Sequence, residues 1–340
     1  MITIGKSLTE LDKLAKQHFR LLKGNPFSIE NALAAKLASG LPPTEMAFYN
    51  EVHIRLRDII TKKPSELENH RTILSPLYEA ILTARTVGIP PKQVKAVRKI
   101  LNSEIMRIFD YDKFSRSKHA YDLAEKLGAN VCLYCNRQYT FTLKGKTDKT
   151  RPQFDHFYDK GTNPYFAVSF YNLVPSCSIC NSNLKGSDVF NIADNFHPYI
   201  DNCDDVMSFR IDVTAVDFIH GKKKSFNILL EEEDSTVDTV LYGRAQKNAE
   251  TFRIIDLSNM HKDYVVELIR KSYYYNEEKL RQLKEFGTKA GNPLFSSNEE
   301  VLEFVIGNYI RQDKLGDRVL AKLTKDIAKQ LGLFDLLKNL

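Results

Sequence analysis

The chain has 340 residues, 43% of them hydrophobic and 27% charged, with 49 Lys and Arg against 43 Asp and Glu. That apolar content suffices for one large core or a few smaller ones and excludes disorder over most of the length. No run reaches the roughly 18 uncharged apolar residues of a membrane helix, and the opening MITIGKSLTELDKLAK lacks the apolar block of a secretory signal, so a soluble, cytoplasmic protein without membrane contact is expected.

Residues 8–22, 45–61 and 71–87 repeat apolar side chains at three- and four-residue spacing, with Gly and Pro clusters between some of them. Pro91 opens KQVKAVRKILNSEIMRIF, a proline-led helix with a basic face, and a further helix is expected over Lys118 to Leu127. Charge is concentrated here: residues 1–150 hold 25 Lys and Arg against 15 Asp and Glu, whereas residues 201–250 hold 6 against 11. A basic surface of this kind suits a polyanion such as nucleic acid, and it is equally the pattern of an ordinary solvated helical face. After Gly128 the pattern changes to short runs rich in Tyr, Phe, Thr and Val with dense Asn, Pro and Gly, predicting a compact, loop-rich segment.

Beyond Asp205, FRIDVTAVDF and SFNILLEEE alternate apolar and polar residues around GKKK and predict a hairpin. A helical region is expected from Leu241 to Phe286, with VLEFVIGNYI and VLAKLTKDIAKQLGL closing the chain as helices. The expected organisation is an α+β chain, mostly helical. Its regions are 1–128 (helical), 129–205 (a central domain carrying the chemistry) and 206–340 (hairpin plus helices).

The central segment holds four of the five cysteines as two C-x-x-C pairs, Cys132 with Cys135 and Cys177 with Cys180. Four thiolates complete a tetrahedral zinc site and leave no open position, so the expected Zn2+ is structural, its binding energy acting as folding energy. Between the pairs lies FDHFYDK with Asp155 and His156 adjacent, and the second pair is embedded in YNLVPSCSICNSNLKG, which supplies Asn172, Asn181 and Lys185. His197, before Pro198, reads either as an extra ligand or phosphate contact or, more simply, as part of a capped turn. KGKT at residues 144–147 lacks the upstream glycine of a phosphate-binding loop, since that position is Thr140, and a nucleotide site is discarded.

The order C-x-x-C, Asp-His, Asn-Leu, C-x-x-C-Asn-x-x-x-Lys-Gly resembles the four-cysteine branch of the HNH endonucleases, over about residues 130–190. The resemblance implies a zinc-stapled ββα-metal nuclease domain. Hydrolysis of a phosphodiester needs an activated water and a cation on the phosphate oxygens. His156 is the candidate general base, and alternation along a strand turns Asp155 to the other side, where it can coordinate the metal. By resemblance, Asn181, on the helix that follows, is the second metal ligand and Asn172 fixes the connecting loop; Lys185, one helical turn beyond Asn181 on the same face, is placed to meet a substrate phosphate. Two oxygen ligands favour Mg2+ or Mn2+.

The activity implied is hydrolysis of DNA, and the wording of the motif is most similar to HNH effectors of bacterial antiphage defence systems of the Septu kind, which work with an ATPase partner. The alternative is a catalytically inactive, zinc-stabilised nucleic-acid-binding or adaptor subunit. The helical flanks are left open to DNA, a protein partner or a second copy of the chain. A DNA-contacting face is expected on Lys92, Lys95, Arg98, Lys99 and Arg107, with the competing reading that this face docks a protein.

Overall fold

The computed structural model describes residues 1–220, 225–233, 238–286, 291 and 293–339. The chain is mostly helical, with small antiparallel sheets of two strands each. It divides into two compact units, Lys6–Gly128 with Phe141–Ile200, and Met1–Gly5 with Ala129–Thr140 and Asp201–Leu340. Within the first unit the N-terminal helices pack against the motif-bearing segment, as expected of helical flanks around a central domain.

In the first unit the helices are α1 (Leu8–Lys23), α2 (Ile29–Leu37), α3 (Pro43–Thr61), α4 (Pro64–Thr86), α5 (Pro91–Phe109), α6 (Tyr111–Arg116) and α7 (Lys118–Leu127). Ser7 and Glu10 close a reciprocal capping box at the start of α1. Proline stands in the first turn of α3, α4 and α5, where its missing N–H has no intrahelical partner to lose. Phe48, Leu56, Ile59, Leu74, Tyr78, Ile81, Leu101 and Ile105 are buried where α3 packs on α4 and α4 on α5.

Four short strands follow, β1 (Leu143–Lys144), β2 (Lys149–Thr150), β3 (Gln153–His156) and β4 (Leu173–Ser176). β3 and β4 pair antiparallel with Asp155 opposite Val174 and His156 opposite Leu173. The chain between them is held by the helices: Ser169 Oγ donates to the Ile59 carbonyl (2.5 Å), His18 Nε2 to that of Val168 (2.8 Å), Asn102 Nδ2 to that of Gly161 (2.7 Å) and Tyr158 Oη to that of Pro64 (3.1 Å). Each bond satisfies a polar group that this buried loop would otherwise leave without a partner.

In the second unit β5 (Met207–Ile211) pairs with β6 (Ile228–Glu232) as the alternating pattern predicts, while GKKK lies outside the described residues. TAVDF departs from the expectation: Thr214 caps a short helix, α8 (Ala215–Ile219), because its hydroxyl accepts from the Asp217 N–H. The expected helical region from Leu241 to Phe286 is four helices, α9 (Thr239–Thr251), α10 (Ile254–Asn259), α11 (Lys262–Tyr274) and α12 (Glu277–Glu285). Then come α13 (Asn298–Ile306), stopped by Gly307 at φ 77°, and α14 (Ala321–Gln330). Two side chains of α14 complete the open edge of β5, Asp326 accepting from the Phe209 N–H and Gln330 bonding both backbone groups of Ile211. Among the described residues no helix is long and apolar enough to cross a membrane.

Candidate metal centre and cleft

The first C-x-x-C turn is closed by the Asn136 N–H bonding the Cys132 carbonyl (2.8 Å), with Asn136 in the left-handed region (φ 51°) that asparagine tolerates better than most residues. Its side chain bonds the carbonyls of Leu315 and Arg318 and the N–H of Lys322, which fixes the turn. In the second, the Cys180 N–H points at the Cys177 sulfur (3.4 Å). The sulfurs of Cys132, Cys135, Cys177 and Cys180 all lie within 4.8 Å of one another, and the four residues are buried. A tetrahedral ion with Zn–S of about 2.3 Å sets its sulfurs roughly 3.8 Å apart, so this donor set can hold a zinc ion with all four positions filled.

A cleft of about 450 Å³ opens beside β3, lined by Asp155, His156, Asn181 and Lys185, and also by Tyr111, Arg151, Gln153 and Lys160. Asp155 and His156 both line this cleft at the end of the strand. His156 Nε2 lies 2.8 Å from the Ala167 carbonyl oxygen. A carbonyl only accepts, so Nε2 carries the proton and Nδ1 carries the lone pair. Burial first, and the positive charges of Lys160 and Lys185 after it, push the imidazole down to about 3 against the pull of the Ala167 carbonyl. The ring is neutral at any physiological pH. Tyr111 packs edge-on against it at 4.6 Å.

Asn172 lies outside the cleft and is fully buried. Its Oδ1 accepts from the Tyr158 N–H (2.6 Å), and its Nδ2 donates to the carbonyls of Tyr158 (3.2 Å) and Phe166 (3.0 Å). One amide thereby ties both ends of the segment whose Ala167 carbonyl orients His156. Asn181 sits on a single wide turn, Ile179–Lys185, of π type, in which the Gly186 N–H reaches five residues back to the Asn181 carbonyl (3.0 Å). Its Nδ2 donates to Gln153 Oε1 (2.8 Å), leaving its amide oxygen as the acceptor end.

Lys185 stands elsewhere than at a solvent-facing phosphate position. Its ammonium is buried, 2.9 Å from each Asp155 carboxylate oxygen and 2.5 Å from the His156 carbonyl. His197 spends both ring nitrogens on the Tyr171 carbonyl and the Tyr199 N–H, in keeping with the turn reading rather than a ligand. Tyr134, Phe157, Tyr158, Tyr165, Phe166, Phe170 and Tyr171 are buried core residues, whereas Tyr139 and Phe141 are exposed.

Lys160 and Tyr111 carried no signal in the sequence, and Arg151 was marked there only as one of several basic residues near the motif, with Lys144, Lys146, Lys149 and Lys185, that could form an alternative DNA surface. Arg151 packs its guanidinium over Phe154 (4.8 Å), and Lys160 lies over Tyr111 (4.9 Å). A basic residue two before a strand and another in a loop belong to no recognised spacing, and only the fold brings them to the cleft. Compared with family models, with curated proteins and with solved structures, the chain matches none.

Proposed function

We propose that the chain is a metal-dependent endonuclease of the HNH type that hydrolyses DNA phosphodiester bonds. The observation that carries this reading is the geometry at the end of β3: a neutral imidazole with its Nε2 proton committed to Ala167, beside a carboxylate and an amide on one cleft. Asp155 and the Asn181 amide are hard oxygen donors suited to Mg2+ or Mn2+, and the ammonium already seated on Asp155 is a stand-in that fits a cation subsite. A bound divalent ion would supply charge stabilisation on the phosphate oxygens.

The protein's own groups do the rest. His156 Nδ1 takes the proton of the attacking water. A ring held near 3 is a weak acceptor alone, but the phosphate anion opposite it favours the protonated form and raises its basicity as the reaction begins. Asn172 keeps the ring from turning by holding the Ala167 segment. Arg151 and Lys160 supply positive charge for the phosphate, and the four-cysteine zinc is structural.

The motif's resemblance extends the reading to an antiphage effector acting with an ATPase partner, for which co-purification of the tagged protein with its neighbours is the test. One observation favours the second reading, an inactive nucleic-acid-binding or adaptor subunit: both oxygens of the Asp155 carboxylate are engaged by Lys185. Plasmid nicking in Mg2+ separates the two. His156→Ala is expected to lower the cleavage rate by at least about 100-fold, the low end of what a positioned general base contributes, with zinc content and DNA binding intact. Cleavage by His156→Ala at the wild-type rate sinks the assignment.

A further inference from the structure

Asp155 and Lys185 form a buried ion pair whose three donor positions are all used: two on the carboxylate and one on the carbonyl of His156. The ammonium also lies 4.8 Å over the ring of Phe190, so it is packed as well as bonded. Equidistant from both carboxylate oxygens, Nζ occupies the bisector along which the carboxylate faces a cation. A magnesium-like ion bonds a carboxylate oxygen at about 2.1 Å, which would bring it within roughly 4 Å of this ammonium with little water between. Two cations so close on one buried carboxylate repel each other, so the arrival of the ion favours departure of the ammonium, which a lysine on four methylenes at the end of a short wide turn can make.

We infer that Lys185 is a displaceable occupant of the metal subsite, its ammonium holding Asp155 until a divalent cation binds there and releases it into the cleft. The inference rests on the nuclease reading and deepens it. It gives Lys185 two positions, so that the metal's arrival delivers a positive charge to the cleft where the substrate phosphate would sit. It also makes the site demand more metal than its donors alone would, since each ion binds against an internal competitor.

The test is Mn2+ binding to the zinc-replete full chain, read by electron paramagnetic resonance and calorimetry without reference to cleavage. Lys185→Met removes the competitor and is expected to bind Mn2+ at least about tenfold more tightly than wild type, with a larger Mn2+-induced rise in Tm. Asp155→Asn is expected to lose the binding. Lysine acetylation followed by mass spectrometry reads the same event in the unaltered protein, where labelling of Lys185 should rise as Mn2+ saturates, so the proposal stays testable if Lys185→Met does not fold. Mn2+ bound by wild type with Lys185 still protected, or bound no more tightly by folded Lys185→Met, overturns the inference and leaves the nuclease reading standing. Absence of Mn2+ binding in both proteins overturns both.

Discussion

His18 lies in α1, buried against Phe114 and Phe170, and donates from Nε2 to the Val168 carbonyl, next to the Ala167 carbonyl that orients His156. Burial lowers its ring from the usual 6.5 to about 4. The folded value lies below the unfolded one, so protons prefer the unfolded chain. The stability this contributes is complete above pH 6.5 and is lost as the pH falls from 6.5 towards 4. His18→Gln keeps an N–H donor but cannot titrate. Urea unfolding between pH 7 and 4.5 is expected to give wild type a steeper fall, by up to about 1.4 kcal/mol per pH unit, than the variant. Equal slopes would mean that His18 is not held neutral by the fold. Nothing in LDKLAKQHFRLL marks this histidine, because its partner stands 150 residues away.

At the scale of elements, what was legible was local. A C-x-x-C turn, a proline-led helix and a strand ending in Asp-His each depend on neighbours within a few residues, and both cysteine turns form as their spacing predicts. What was not legible was supplied across long separations. The segment between β3 and β4 takes its bonds from Ile59, Asn102 and Pro64, at separations from 59 to 110 residues, and no local pattern marks these as the residues that hold it. The resemblance implied a helix at Asn181, and the structure has there a wide π-type turn, Ile179–Lys185, whose extra residue per turn no sequence spacing marks. The four thiols yield a prediction here. Zinc-finger peptides gain about 10–16 kcal/mol from such an ion, as much as the roughly 5–15 kcal/mol that holds a whole domain folded. Metal analysis should find about one zinc per chain. Cys132→Ser or Cys177→Ser should cost several kcal/mol, read as insolubility or a large drop in Tm; either variant with unchanged Tm and zinc content would refute a structural ion.

Over the whole molecule the charge is divided as the units are. Lys6–Gly128 with Phe141–Ile200 holds 27 Lys and Arg against 19 Asp and Glu, a net +8, while the other unit holds 22 against 24. The positive unit is the one that contains the cleft, which is where a polyanion would have to be held. Within it the structure sorts the cations that composition counts equally. Arg98 is committed to Glu79 and stacked on Tyr78, and Lys144 is bonded to Asp122 and Glu125, so neither is at liberty for a phosphate. Lys92, Lys95 and Lys99 stand exposed on α5, the helix whose Asn102 bonds Gly161 beside Lys160 at the cleft. The DNA-contacting face expected of this helix therefore narrows to its lysines and Arg107, which is also exposed. Each phosphate contact adds about 0.9 to the slope of log affinity against log salt. Lys95→Glu with Lys99→Glu is expected to weaken DNA binding at low salt by about tenfold or more and to flatten that slope by about 2, with zinc content unchanged. Arg98→Glu should instead lower stability, because it opposes Glu79 with a like charge, and leave the slope within error. Should the double reversal leave affinity and slope untouched while a co-purifying protein is lost, α5 is a protein-docking face, and the phosphate contacts lie with Arg151 and Lys160 at the cleft itself.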